Sequence, residues 1–532
     1  MESNSSKLIL ALPGIVLAFA PGAQAASKAI KAQDSQRPNI LYIMTDQQRW
    51  DALGYSGNKV IKTPNLDRLA RSGAYFSHAV TPCPVSGPAR CSILTGMTIE
   101  KSGVRLNDDT HDKNLPLPYK TFDEMLSADG YYDEYYGKFH SPKAMAEVYR
   151  NPSKGGLSGA DLILGDKSLY KKLLDREFPD RSLKAGEHLG GGVYAGVPYK
   201  PSPMDRRYGM TPQEAKEKKA KVDPHGCVNI PAELSFTSYT VGQALDAMDR
   251  VASNAPFAIS CSIVAPHAPF LPSEPYCGMY NPKDMPIPAT IGDDMKNNPY
   301  KKSSAKGEEF RDPKRIGYFI SEYYALITEA DMWIGKLLDK LDQLGLTENT
   351  VVVFTSDHGE MLGDHGMQAK FVFLEGSVRV PLIVSYPGVI PAGKKIDAPV
   401  SLTCIYPTIL ELAGIDNSQS DGYSLMGLIQ GQKSKYDFAV SEWTSGKTNV
   451  PNIMIRTSDW KLMLSYTDDS GANDALFDMR NDPGEMNNLL GKNPAKSKQK
   501  ETVSQLQGKL AGYLEDIEHP FAGAVKKRVV VR

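Results

Sequence analysis

Asn39-Ile40-Leu41-Tyr42-Ile43-Met44-Thr45 runs straight into Asp46-Gln47, and this stretch decides how the chain is read. Its apolar residues do not alternate with polar ones, the pattern of a strand buried on both faces. Such a strand belongs to a sheet with helices packed on each side. Ala258 to Val264 (AISCSIV) and Val351 to Thr355 (VVVFT) repeat the pattern. Amphipathic stretches lie between these runs. The clearest covers Ile320 to Leu344, where Ile327, Ala330, Ile334, Leu337, Leu338 and Leu341 keep a helical spacing and Gly345 stands at the cap position. The fold class that follows is α/β, a mostly parallel sheet with helices on both faces.

Two stretches break the alternation. Residues 150–225 are rich in Gly, Lys, Pro and Tyr, and residues 272–318 in Pro, Lys and Asn. Both read as long loops or insertions, and such loops often shape a substrate pocket. After about residue 430 short runs separated by turns (Phe438 to Trp443, Ile453 to Arg456, Trp460 to Tyr466, Ala475 to Asp478) precede a helix over Lys500 to Ile517. They predict a smaller α+β subdomain with an antiparallel sheet. The expected organisation is a main α/β domain over 37–430 and a C-terminal subdomain over 431–532.

The 532 residues carry 61 basic and 62 acidic side chains, a net charge of −1. That balance argues against a protein that coats nucleic acid. Hydrophobic residues at 41% and charged residues at 23% suit a soluble chain with a large core. Six cysteines are too few for a disulfide scaffold and leave the pairing open. Lys7, the apolar stretch Leu8 to Ala20 and Pro21-Gly22-Ala23-Gln24-Ala25 follow the order of a secretory signal, with cleavage expected after Ala25. Export, to the periplasm in a bacterium, is the expectation. No later apolar run reaches the ~18 residues of a membrane span.

Ligands in open parallel sheets bind beyond the carboxyl ends of strands. Asp46-Gln47, Lys138 and His140, His267, and Asp357-His358 all follow strand-like runs. Taken singly, an Asp after a strand is a helix cap. Together these groups describe a metal site beside an anion site. Oxygen ligands favour calcium or magnesium, and His358 keeps manganese or zinc open. Residues 82–96 read Pro-Cys-Pro-Val-Ser-Gly-Pro-Ala-Arg-Cys-Ser-Ile-Leu-Thr-Gly. Pro88 suits a first helical turn, which puts Ser86 at the positive end of a helix. Arg90, four residues on, shares its face. A nucleophile, a cation and a helix N-terminus together suit attack on an anionic ester. Ser86 does not sit in G-x-S-x-G, so an α/β-hydrolase is disfavoured.

Ser86-Gly87-Pro88-Ala89-Arg90 with Leu94-Thr95-Gly96 resembles the C/S-x-P-x-R maturation signature of the type I, formylglycine-dependent sulfatases, of the alkaline-phosphatase-like superfamily. The Ser form resembles bacterial members. The resemblance runs from Pro38 to about Leu490 and includes Thr63 to Ala70, Leu476-Phe477-Asp478, Asp482-Pro483-Gly484-Glu485 and Asn488-Leu489. It implies that a maturase converts Ser86 to formylglycine, whose hydrate attacks sulfur and displaces the alcohol. It implies that Asp46, Gln47, Asp357, His358 and the modified Ser86 hold a divalent ion, usually calcium. Arg90 would hold the hydrate and metal site, Lys138 and Lys370 would bind sulfate oxygens, His140 would serve the formylglycine, and His267 would protonate the leaving alcohol. Gln47 and His358 depart from the Asp and Asn of many members.

The reaction implied is hydrolysis of a sulfate ester on a sulfated small molecule or carbohydrate, by exo attack on an oligosaccharide such as a glycosaminoglycan fragment. Two alternatives accompany it: a phosphonate monoester or phosphodiester hydrolase of the same superfamily, or a sulfated-glycan binding protein that is never matured. The former generally lack the pair that stands here as Lys138 and His140. Asn107, Asp109 and His111 follow the signature helix and are candidate substrate contacts. Cys83 and Cys91 read as buried free thiols. Lys526-Lys527-Arg528 reads as a solvated tail.

Overall fold

The computed structural model describes residues 37–112, 115, 118–149, 163–164, 167–220, 224–252, 256–300, 308–416, 419–444, 450–466 and 474–531. The expected signal segment lies outside them. From Arg37 onward the chain forms one compact unit. Its centre is an eight-stranded sheet. In chain order the strands are β1 (Asn39–Asp46), β2 (Ala74–Phe76), β3 (Tyr132–Lys138), β4 (Ile163–Leu164), β5 (Phe257–Pro266), β6 (Thr350–Ser356), β7 (Leu382–Ser385) and β8 (Lys394–Ile396). Across the sheet they run β8-β2-β7-β6-β1-β5-β3-β4. The central four, β6, β1, β5 and β3, are parallel; β7 and β4 pair antiparallel towards the two edges.

β1 shows why its sequence lacks alternation. Leu41 and Ile43 enter one core, with Val241 and Met248 of α2 (Phe236–Val251) and Phe319, Ile327 and Leu337 of α3 (Pro313–Gln343). Ile40, Tyr42 and Met44 enter the other, with Ile93 and Leu94 of α1 (Ser86–Thr95) and Ile405 and Ile409 of α4 (Ile405–Leu412). The period of two is present, but both faces are apolar. The α3 helix starts earlier than its apolar spacing predicts. Pro313 occupies its first turn, and the Asp312 carboxylate accepts from Lys314 N at 2.9 Å. These are start signals that an apolar count does not see. Its C-terminus matches, with Gly345 in the left-handed region at φ 67°.

The C-terminal part is an antiparallel sheet of β9 (Phe438–Trp443), β10 (Asn452–Thr457), β11 (Trp460–Leu464) and β12 (Ala475–Asp478), in that order. Leu506, Leu510 and Leu514 of α5 (Lys500–Asp516) pack on one face of it. The stretch 150–225 lies partly outside the described residues. Its described part is more regular than a loop. It holds a helix (Lys167–Glu177) and two strands, His188–Leu189 and Pro198–Pro201, that join Gly226–Val228 in a small sheet. Tyr170, Leu174, Tyr194 and Tyr199 give it a core of its own, which its Gly- and Pro-rich composition conceals. Cys227 and Cys277 form a disulfide that ties this sheet to the second insertion. Cys83 and Cys91 are buried free thiols, as expected. No described helix is long and apolar enough to cross a membrane.

Candidate active site

The strand ends converge. β1 delivers Asp46, β3 delivers Lys138, His140 follows β3, His267 follows β5, and Asp357-His358 follow β6. The β1–β5 register shifts between Thr45 and Asp46, and Gln47 has φ 70°. A non-glycine residue is held there only when its surroundings over-determine it. Those surroundings are two hydrogen bonds, from Gln47 N to Asp357 Oδ1 at 3.1 Å and from the Tyr323 hydroxyl to Gln47 O at 2.6 Å.

Ser86 is the first residue of α1, at its positive end as expected, and the whole helix is buried. Arg90, on the next turn, makes the central junction. Its Nε donates to Asp357 Oδ2 at 2.8 Å and its Nη2 to Asp46 Oδ2 at 2.9 Å. Its Nη1 donates to Lys138 O at 2.6 Å and to Ser262 Oγ at 2.8 Å. Arg90, Asp46 and Asp357 are all fully buried. Lys138 Nζ stands 2.7 Å from Asp46 Oδ2. The Lys370 ammonium donates to Gln47 Oε1 at 2.6 Å, so this lysine belongs to the cluster rather than to the surface.

Asp46, Asp357 and His358 each offer one ligand atom, and the three atoms lie within 4.8 Å of one another. Asp46 Oδ1 is buried and has no hydrogen-bond partner among the described residues. His358 Nδ1 lies 2.9 Å from Gly359 O, which can only accept. The ring therefore carries its proton on Nδ1 and presents a lone pair at Nε2, the tautomer of a metal ligand. Ser86 Oγ is 2.9 Å from that Nε2. Two carboxylates, an amide oxygen and a hydroxyl fit a hard divalent cation, with the imidazole as the softer member.

Charge in the pocket follows from burial and three cationic neighbours. Burial alone would raise Asp46, but Lys138, with Arg90 and Lys370, holds it well below the usual carboxylate range. Burial and the Asp46 charge push Asp357 up. Burial, then Lys138 and Arg90, lowers His140 to about 2. Burial, then Lys370 and Lys138, lowers His267 to about 3. Both imidazoles are neutral. His140 is 4% exposed, and neither of its ring nitrogens has a partner among the described residues. His267 Nδ1 faces Ala268 O at 3.0 Å, which leaves its Nε2 with the lone pair.

The three candidate contacts after the signature helix separate. Asn107 Oδ1 accepts from Gly87 N at 2.9 Å, directly behind Ser86. Asp109 Oδ2 closes its own turn by accepting from Arg105 N and Leu106 N at 2.7 and 2.8 Å. His111 is exposed in the same turn. Glu360 was not singled out from sequence, although it stands three residues after Asp357. It is fully buried and accepts from Gln47 Nε2. Ser262 and Tyr323 were likewise not anticipated, because each meets the site only across the fold.

Residues 38–415 match the sulfatase family model, and residues 363–513 match that of the C-terminal part of N-sulphoglucosamine sulphohydrolase. An ulvan-active sulfatase of Formosa agariphila is 31% identical over 91% of this chain and 83% of its own length. Among solved structures, one bound to its substrate D-glucosamine-2-N,6-O-disulfate aligns with TM-score 0.69 and 22% identity, covering 93% of this chain and all of the other. A phosphonate monoester hydrolase of Silicibacter pomeroyi aligns with TM-score 0.71 and 21% identity, over 91% of this chain and 97% of that one. At those identities the two structures speak to the fold alone. The family model spans well over half of the chain, and the chain belongs to the sulfatase family of sulfuric ester hydrolases.

Proposed function

We propose that the chain removes sulfate from a sulfated carbohydrate, by exo attack on an oligosaccharide, using formylglycine made from Ser86 and a divalent cation, calcium first. The observation that carries this is Ser86 at the start of α1, 2.9 Å from His358 Nε2, in a pocket that also holds Asp46, Asp357, Lys138 and Lys370. When bound, the cation would supply charge stabilisation at a sulfate oxygen, held by Asp46, Gln47, Asp357, His358 and position 86. Formylglycine would supply a gem-diol, whose second hydroxyl lets sulfate leave where a serine would stay esterified.

The remaining work falls to the chain's own side chains. Lys138 and Lys370 pair with the non-bridging sulfate oxygens and offset charge in the transition state. His140, neutral and with both nitrogens unpartnered, accepts the proton from position 86. His267 can give a proton from Nε2 only as the imidazolium. Burial is the first cause of its lowered pKa and the two lysines the second; a sulfate ester held by Lys370 and Lys138 offsets the lysines' share and so favours the imidazolium. Arg90 fixes Oδ2 of both carboxylates and so aims their other oxygens. Asn107 braces Gly87 behind position 86.

A sulfated glycan is supported by the ulvan-active relative and by the related structure bound to a sulfated glucosamine. Ser86 is 1% exposed, which suits a terminal sulfate inserted from outside. The Cys227–Cys277 disulfide supports export, with the periplasm as the compartment. Residues 37–430 then form the catalytic part and 431–532 the C-terminal subdomain. The test is protein produced with a serine-type maturase. The tryptic peptide holding Ser86 should be about 2 Da lighter than its sequence mass. An aryl sulfate should turn over faster than an aryl phosphonate. Faster phosphonate hydrolysis points to the phosphonate hydrolase, and an unmodified Ser86 from the native host points to a glycan-binding protein.

A further inference from the structure

The amide of Gln47 lies between two groups of fixed polarity. On one side Lys370 Nζ stands 2.6 Å from one amide atom, and an ammonium can only donate. On the other side is the Glu360 carboxylate, which when ionised can only accept. The two neighbours therefore fix which way the amide points, whatever a density map would say about oxygen and nitrogen. Oε1 must face Lys370 and Nε2 must face Glu360.

Glu360 is fixed in turn. It is fully buried, and its Oε1 accepts from Leu362 N at 3.0 Å and from Ala369 N. Only Oε2 is left for Gln47. The backbone from Leu362 to Phe371 is tightly wound, with Leu362, His365, Ala369 and Phe371 all at positive φ, and Lys370 lies within it. The same carboxylate thus orders the lysine's loop and the amide that the lysine meets.

We infer that Glu360 is a positioning residue that locks the carbonyl oxygen of Gln47 towards the cation site and so makes an amide serve as a metal ligand. This rests on the proposed reading of Gln47 as a ligand. An aspartate needs no such lock, because its two oxygens are equivalent. An amide does, because its wrong end presents N–H groups to a cation.

The proposal predicts a rescue. In E360Q the introduced oxygen keeps the Leu362 and Ala369 amides, so the introduced NH2 faces the NH2 of Gln47. Either orientation of the Gln47 amide then meets a donor, the introduced NH2 or Lys370 Nζ, so the carbonyl oxygen is no longer locked. In the exchanged pair Q47E/E360Q the introduced NH2 donates to the introduced carboxylate, whose second oxygen is free for the cation. The experiment titrates calcium chloride and magnesium chloride into chelator-treated protein by calorimetry, with unmatured chain so that turnover plays no part. E360Q should weaken calcium binding by about 10–100-fold, the usual effect of altering a group that orients a ligand. The exchanged pair should bind no more than about threefold below wild type. A loss in the exchanged pair equal to that of E360Q overturns the lock and leaves Glu360 as a loop anchor. If E360Q folds poorly, the exchanged pair decides alone: a tenfold or greater loss refutes the proposal. Wild-type protein that binds neither cation refutes the metal reading itself, a different result from the failure of the rescue.

Discussion

Arg90→Met is the most severe single change the site admits, and its cost can be worked from the contacts. The guanidinium gives four hydrogen bonds, two of them to buried carboxylates. Hydrogen bonds to charged groups contribute about 1.5–3 kcal/mol each. The two to Asp46 and Asp357 therefore come to about 3–6 kcal/mol. A second route uses removal of one partner from a buried ion pair, which costs about 3–5 kcal/mol. The routes agree because the same event underlies both: two carboxylates out of water lose their shared cation. Asp46 keeps Lys138 at 2.7 Å. Asp357 keeps the amides of Gln47 and His358 on Oδ1, at 3.1 and 2.9 Å. We expect Arg90→Met to lose about 3–5 kcal/mol in chelator, read by urea unfolding with tryptophan fluorescence. Calcium should narrow the gap, because a cation between the carboxylates replaces the missing charge. Binding at 100 times the dissociation constant adds about 2.7 kcal/mol to whichever protein binds. Arg90→Lys should fall between wild type and Met, since an ammonium keeps the charge but loses the planar fork. A loss below about 1 kcal/mol for Arg90→Met in chelator would mean that the carboxylates are not held by this arginine, and the account of the site would fail.

Other perturbations test separate parts of the reading. Replacing Cys227 and Cys277 by Ser opens a loop with a sequence separation of 50. Chain-entropy arithmetic gives about 4 kcal/mol as an upper value, and unfolding in oxidised and reduced buffers measures it. Glu100 is raised to about 7, by burial first and by Glu442 second, with Arg105 opposing. Its unfolded value is about 4.3, so the unfolded chain loses the proton first and stability falls as pH climbs from about 4 to about 7. Glu100→Gln should remove that slope, being about 1–2 kcal/mol more stable than wild type at pH 8 and no more stable at pH 4 after discounting for partial solvent access. Urea midpoints at the two pH values check it, and equal slopes for the two proteins would refute it. Lys370→Ala in matured enzyme should lower kcat/KM on an aryl sulfate by about 10²–10³-fold, the cost of one transition-state donor. An unchanged kcat/KM would remove Lys370 from the chemistry.

Much of this protein is legible locally. The both-faces-apolar runs gave β1, β5 and β6 their places in a covered sheet, because side-chain alternation and burial are properties of a few consecutive residues. Ser86 and Arg90 share a helix face because their spacing is local. The strand ends pointed to a shared site by a general rule of parallel sheets. The small sheet inside residues 150–225 escaped, because its strands pair across Gly- and Pro-rich turns and its core is assembled from scattered tyrosines.

What only the tertiary structure decided is which groups meet, and therefore their state. Arg90 reaches Asp357 across 267 positions, and Lys370 reaches Gln47 across 323. No periodicity spans such distances. The tautomer of His358 depends on Gly359 O, and the neutrality of His267 depends on burial and on two lysines from other segments. Glu360 reads as one more acidic residue in a loop until its partners are known. Residue type and spacing name the candidates, but protonation, orientation and ligand polarity are set by neighbours, and neighbours in a folded chain are mostly distant in sequence.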